Sequence, residues 1–87
     1  MRRAQQLAGR GYGDYAINER LRQHGLPADL RARAIRAVEQ SEPERIKRLI
    51  EKKTAAKREK LIRFLAARGF GMEAIFETLN GEDDEGI

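Results

Sequence analysis

Apolar residues recur three and four positions apart along this chain, and no stretch alternates with period two. Such spacing lines up one face of an α-helix and leaves no half-buried strand. The pattern predicts six helical segments. The first runs from about Arg2 to Ala8. The second, about Asp14 to His24, sets Ala16, Ile17 and Leu21 on one face; the third, about Ala28 to Gln40, aligns Leu30, Ala34, Ile35 and Val38. Ser41-Glu42-Pro43-Glu44 has the S-x-x-E form of a capping box, with Pro43 in the first turn where its missing N–H costs nothing. It opens a fourth helix to about Lys53, with Ile46, Leu49 and Ile50 inward. The fifth, about Ala56 to Arg68, turns Leu61, Phe64 and Leu65 inward, and the sixth, about Met72 to Asn80, presents Ile75, Phe76 and Leu79. Thr54 and Ala55 either break the fourth and fifth segments or join them into one bent helix. The fold class is all-α.

Glycine supplies the stops. Gly25 and Gly69 are placed to end helices in the left-handed conformation, and the next residue, Leu26 or Phe70, folds back over the helix just left. Both glycines are expected at positive φ and both apolar residues largely buried. Gly81 is expected to close the last helix. Two self-matches run through the chain. Ile17-x-x-x-Leu21-x-x-x-Gly25-Leu26 parallels Leu61-x-x-x-Leu65-x-x-x-Gly69-Phe70 at an offset of 44, and Arg10-Gly11-Tyr12-Gly13 echoes Arg68-Gly69-Phe70-Gly71 at 58. The offset of 44 preserves a helix, a Gly-apolar turn and a short helix, so it is taken as the architectural period. The chain then reads as tandem three-helix, helix-turn-helix-like repeats, with about one and a half present. Residues 1–42 form a partial first repeat, 43–80 a second, and 81–87 an acidic, disordered tail.

Charge changes the picture next. The 87 residues include 18 Lys+Arg and 14 Asp+Glu, for a net +4. Four of those acids, Glu82, Asp83, Asp84 and Glu85, lie beyond Gly81, so residues 1–81 carry 18 bases against 10 acids. A basic body favours nucleic acid or another acidic partner. Cysteine is absent and there is one histidine. Disulfides, Cys-ligated zinc and a Cys nucleophile are excluded, and a reducing, cytoplasmic setting fits. No nucleophile–base pair or metal set stands out, so the expectation is a non-enzyme with no cofactor and no metal. No apolar run reaches the ~18 residues of a membrane span, and no membrane partner is expected.

Lys52, Lys53, Lys57, Arg58, Lys60 and Arg63 are the foremost candidates for binding. On a continuous helix Lys53, Lys57 and Lys60 share one stripe, flanked by the other three and beside an apolar stripe. Arg10, Arg20 and Arg22 make a second cluster, and Arg68 ends the fifth helix. A solvated face with Glu51 and Glu59 as local partners explains the first group equally simply. Tyr12 and Phe70, each just after a helix-ending glycine, are expected to pack at corners.

Two segments together resemble the RecX regulatory proteins. Arg10-Gly11-Tyr12-Gly13 followed by Ile17-Asn18-Glu19-Arg20-Leu21-Arg22-Gln23-His24-Gly25-Leu26 is similar to that family's middle, where a GYG corner leads into I-x-x-E-L-R-x-x-G-apolar. Leu61-Ile62-Arg63-Phe64-Leu65-Ala66-Ala67-Arg68-Gly69-Phe70-Gly71, then Ile75 and Leu79, resembles its C-terminal signature, an apolar-rich helix ending R-R-G-F. The resemblance covers roughly residues 8–80. It implies an elongated string of three-helix repeats that binds the RecA recombinase filament, lodges in its groove and mostly inhibits strand exchange and ATP hydrolysis. Some affinity for single- or double-stranded DNA through phosphates is implied too, within recombination, DNA repair and the SOS response. Two departures stand out. The family usually has about three repeats whereas this chain begins inside the second, and Asp14 stands where the family often has Pro. The alternative reading is a small free-standing helix-turn-helix DNA-binding domain. It would use Asn18, Arg22 and Gln23 on base edges and Arg31, Arg33 and Arg36 on phosphates.

Overall fold

Good helix formers interrupted by Gly-apolar pairs dictate short helices with sharp corners. The computed structural model describes residues 2–53 and 57–85 and, among them, six α-helices and no strand. These are α1 (Arg2–Gly9), α2 (Asp14–Gln23), α3 (Ala28–Arg36), α4 (Glu42–Glu51), α5 (Arg58–Ala67) and α6 (Met72–Glu85). The starts of α2 and α5, and of α3 and α6, are each 44 residues apart. None of these helices is long and apolar enough to cross a membrane.

Three corners share one geometry. Gly11, Gly25 and Gly69 have φ of 90°, 86° and 90°. After each, the next amide reaches back five residues: Tyr12 N–H to the Leu7 carbonyl, Leu26 to Leu21, Phe70 to Leu65, all at 3.2 Å. This Schellman closure is commonly accompanied by an apolar residue after the glycine lying against the helix. Phe70 is buried as expected, whereas Leu26 is only partly so. The helix expected to stop at Asn80 runs on through Gly81 to Glu85, so residues 82–85 of the expected disordered tail have helical backbone.

Other boundaries also move. The third helix ends at Arg36 rather than Gln40, because Val38 turns back onto the core and the Glu39 N–H donates to Gln5 Oε1. Ser41 caps α4 as the motif predicts, accepting from the Glu44 N–H at 3.3 Å. Helix α4 stops at Glu51 and extended Lys57 begins α5. Lys53, Lys57 and Lys60 thus do not share one helical stripe; Thr54, Ala55 and Ala56 lie outside the described residues.

Two separate cores result. Ala4, Leu7, Ala8, Ile17, Leu21 and Ala34 bury against one another in α1–α3; Ile46, Leu61, Leu65, Phe70, Ile75 and Leu79 do so in α4–α6. The chain therefore holds two three-helix units, the first opening on the short helix α1, in a rod measuring 45 × 19 × 19 Å. Three short helices bury only a narrow stripe, so Leu30 and Phe76, both expected inward, stay 40% and 41% exposed. Thr78 takes an inward place on α6 instead, its hydroxyl donating to the Ala74 carbonyl.

The units meet end to end. The Gly13 N–H donates to the Arg68 carbonyl at 2.8 Å and the Tyr15 N–H to the Gly69 carbonyl at 2.9 Å. Amides left unpaired at the start of α2 thus meet carbonyls left unpaired at the end of α5, the partly positive end of one helix facing the partly negative end of the other. A Cβ on Gly13 would lie 2.4 Å from the Phe70 nitrogen, and one on Gly69 2.4 Å from Ala16 Cβ and 2.5 Å from its nitrogen. Only glycine admits this approach. The offset-58 self-match marks the two corners that touch.

Two side chains of α4 brace the contact. Arg45, 6% exposed, donates to the Gln40 and Tyr12 carbonyls and pairs with Asp14. Its guanidinium also lies 5.8 Å from the Phe70 ring centre. Glu42 accepts from the Asp14 N–H at 2.8 Å and the Gly71 N–H at 3.5 Å, one carboxylate serving the N-terminal ends of α2 and α6. Arg68 closes the far side, its guanidinium donating to the carbonyls of Arg10 and Gly11.

Three substitutions separate backbone strain from close approach. Gly25 has positive φ but open space around it, so Gly25→Ala should cost only about 1 kcal/mol. Gly13 has an ordinary φ of −83°, so Gly13→Ala should lose ~1–3 kcal/mol through the clash alone. Gly69→Val suffers both and should be the most damaging. Urea unfolding ranks the three; an unchanged midpoint for Gly69→Val would contradict the corner and the joint together.

Candidate functional site

The candidate basic residues divide into those with internal duties and those facing outward. Arg68 and Arg20 belong to the first group. Their guanidinium carbons lie 4.4 and 4.3 Å from the Tyr12 ring centre, and Arg20 also donates to the Tyr12 hydroxyl at 2.9 Å. Tyr12 is a corner residue, as its position predicts, with cations stacked on it. Arg22 pairs with Glu19 one turn earlier on α2. That hydrogen bond is the main cause holding the Glu19 carboxyl below its ordinary range, against a desolvation effect and with help from the charges of Arg22 and Arg31. The same bond raises Arg22. Because the Glu19 value is depressed on folding, the contribution of the pair is present above the unfolded carboxyl range and lost as pH falls through the folded one. Both side chains are about half exposed, so solvent screens the pair and the contribution is small.

Of the readers proposed for a DNA-binding domain, Arg22 is held by Glu19 and Asn18 by Arg31, while Gln23 is exposed. Asn18 Oδ1 accepts from Arg31 Nε at 2.9 Å, and Arg31 also donates to the Leu26 carbonyl. Arg33 and Arg36 remain exposed on α3.

The outward group gathers near the joint. Arg10, at the end of α1, and Lys52, at the end of α4, line one crevice of about 180 Å³ together with Arg48 and Arg45. Residues 45, 48, 49 and 52 recur at i, i+3, i+4 and i+7, so α4 turns one face to the crevice. No acidic residue lines it, and Leu49 with Gly11 forms its apolar wall. Arg45 is already balanced by Asp14, so the effective cations are Arg10, Arg48 and Lys52, all exposed. Arg48 and Arg45 are not among the candidates that the sequence pattern singles out. For Arg45 a signal does exist, because it adjoins Ile46 and precedes Leu49 by one turn, which places it on the inward face.

The remaining cations cluster where α5 begins. Lys57 is its N-cap residue, Arg58 its first residue and Lys60 its third, with Glu59 as the one acid in that turn. Cations at a helix N-terminus oppose the helix dipole, so this placement raises the local positive potential at a cost in stability. Lys53 lies with Nζ 4.4 Å from the Phe64 ring centre, and Arg58 donates to Asn80 Oδ1 at 2.8 Å. Lys57, Lys60 and Arg63 are exposed. The structural-corner residues Gly25, Leu26, Gly69 and Phe70 carry no surface chemistry; they set the helix ends.

The two groups should respond differently to truncation. Arg68→Ala removes two carbonyl contacts and a stacked cation and should lower stability by about 1–3 kcal/mol. Lys60→Ala and Arg63→Ala should stay within ~0.5 kcal/mol of the parent. Equal effects from Arg68 and Lys60 in thermal melts would contradict this division. In comparison with known proteins, no family model, curated protein or solved structure matches the chain.

Proposed function

We propose that the protein regulates a RecA-type recombinase by binding the recombinase–DNA filament, with inhibition as its sense. The observation that supports this most is the crevice at the joint, where Arg10 of one unit meets Arg48 and Lys52 of the other with no acid in the lining. Three converging cations against an apolar wall suit a phosphate or a carboxylate cluster on a polymer surface. The cations at the start of α5 add a second positive cluster. The rod form with its 44-residue period accords with the resemblance to the RecX regulators, and a cytoplasmic setting goes with that role. Binding of this kind uses no catalytic group and no cofactor.

Contact with DNA in this reading is made through phosphates and is indifferent to base sequence. Affinity for bare single strands should be weak and fall steeply with salt, log K dropping by about 0.7 per phosphate contacted for each tenfold rise in salt. Co-sedimentation with recombinase filaments assembled on single-stranded DNA, against naked DNA, tests the proposal. The parent chain should pellet with filaments, and Arg48→Glu/Lys52→Glu should release it with helicity intact. Lys57→Glu/Lys60→Glu/Arg63→Glu should weaken binding further when combined with that pair. Tight binding to one duplex sequence and none to the filament would overturn the proposal in favour of a DNA-binding domain. Filament binding that survives both reversals would overturn the surface.

A further inference from the structure

The joint has a second opening of opposite character. A groove of about 770 Å³ lies between the first turn of α2, the end of α3 with its following linker, and the first two turns of α6. Arg45 and Gln40 line both openings and so form the partition between them. Five acids line this groove, Asp14, Glu39, Glu42, Glu73 and Glu77, against Arg36 and Arg45. Half of the 10 acids in residues 1–81 of a basic protein thus converge on one place.

Two of those acids are explained by the fold. Asp14 pairs with Arg45, and Glu42 serves two helix N-termini. Glu39, Glu73 and Glu77 make no such contact and are exposed, with Glu73 and Glu77 one turn apart on α6. The apolar lining is equally notable. Tyr15 is 71% exposed and Met72 47%, two of the large hydrophobic residues that the described chain leaves open to solvent. The Tyr15 ring edge lies 3.5 Å from where a Gly71 Cβ would stand, so the absent side chain leaves that ring uncovered. An aromatic and a methionine within an acidic rim have the anatomy of a protein-docking site rather than an anion site.

We infer that this groove docks a basic amphipathic segment of a partner protein, its Lys or Arg residues meeting Glu39, Glu73 and Glu77 and its apolar face covering Tyr15 and Met72. Charge complementarity selects the occupant: a nucleic acid or an acidic peptide is repelled by the same three carboxylates. This goes beyond the proposed function, which uses the other opening, and the protein becomes two-sided, with anions on one side of Arg45 and a basic segment on the other.

The test uses the whole chain, isotopically labelled, titrated with a synthetic Leu/Lys amphipathic helical peptide while amide shifts are followed. A Leu/Glu peptide and oligothymidylate serve as controls. Shifts should concentrate on Tyr15, Met72, Glu73 and Glu77 and be absent with both controls at that groove. Glu73→Lys/Glu77→Lys should weaken the peptide by about tenfold or more, which is 1.4 kcal/mol. Tyr15→Ser keeps every charge and should also weaken it. Shifts that map elsewhere, oligothymidylate binding at the groove, or peptide affinity unchanged by either variant would each overturn the inference. Since Glu73, Glu77 and Tyr15 lie outside the basic crevice, filament binding through Arg48 and Lys52 can fail or hold independently.

Discussion

Two stretches of backbone touch at the centre of this protein, and the rest of the structure depends on that contact. The end of α5 presents the carbonyls of Arg68 and Gly69 to the amides of Gly13 and Tyr15 at the start of α2. Side chains at positions 13 and 69 would occupy space already filled by backbone. The units on either side each hold a core of six buried apolar residues and comprise about 40 residues, near the size below which a fold usually needs a disulfide or metal. Cysteine is absent. The joint therefore supplies cooperativity that neither small core has alone. It does so through polar contacts whose donors and acceptors match, and among the described residues no buried side-chain nitrogen or oxygen lacks a partner.

Both openings on the surface inherit their shape from this joint. Arg10 belongs to the first unit while Arg48 and Lys52 belong to the second, and Tyr15 and Met72 are divided in the same way. Any looseness between the units would pull each set apart. Arg45 holds a special position because it is buried, paired and shared by both linings. Its partners Tyr12, Asp14 and Gln40 would be left with unanswered polar groups if it were shortened, a cost larger than the worth of the bonds themselves.

Much of the fold is legible in the sequence because local rules fix it. The Gly25 and Gly69 corners, the Ser41 cap and the 44-residue period all arise from chemistry between near neighbours in sequence. The end of α6 departs from expectation: Leu26 and Phe70 close their corners with backbone bonds five residues back, whereas α6 passes through Gly81 and ends at Glu85. The site is less legible. Lys53, Lys57 and Lys60 form a stripe only on an unbroken helix, and Arg20 and Arg68 look like surface cations until the fold sets them on Tyr12. Arg48 joins Arg10 only through a contact spanning the two units, which no local pattern reveals. The offset-58 similarity does hold that information, as two corners shaped to meet, but similarity alone does not say that two segments touch.

The central claim is that the two units form one cooperative body locked at Gly13, Tyr15, Arg68 and Gly69. Native-state hydrogen exchange reads it directly, because the Gly13 and Tyr15 amides donate across the joint in this structure. They should exchange with the same opening free energy as core amides of α2 and α5, and all should respond alike to denaturant. Gly13 and Tyr15 exchanging far faster, with the helical cores still protected, would show two independent units tethered by a linker and would contradict the account.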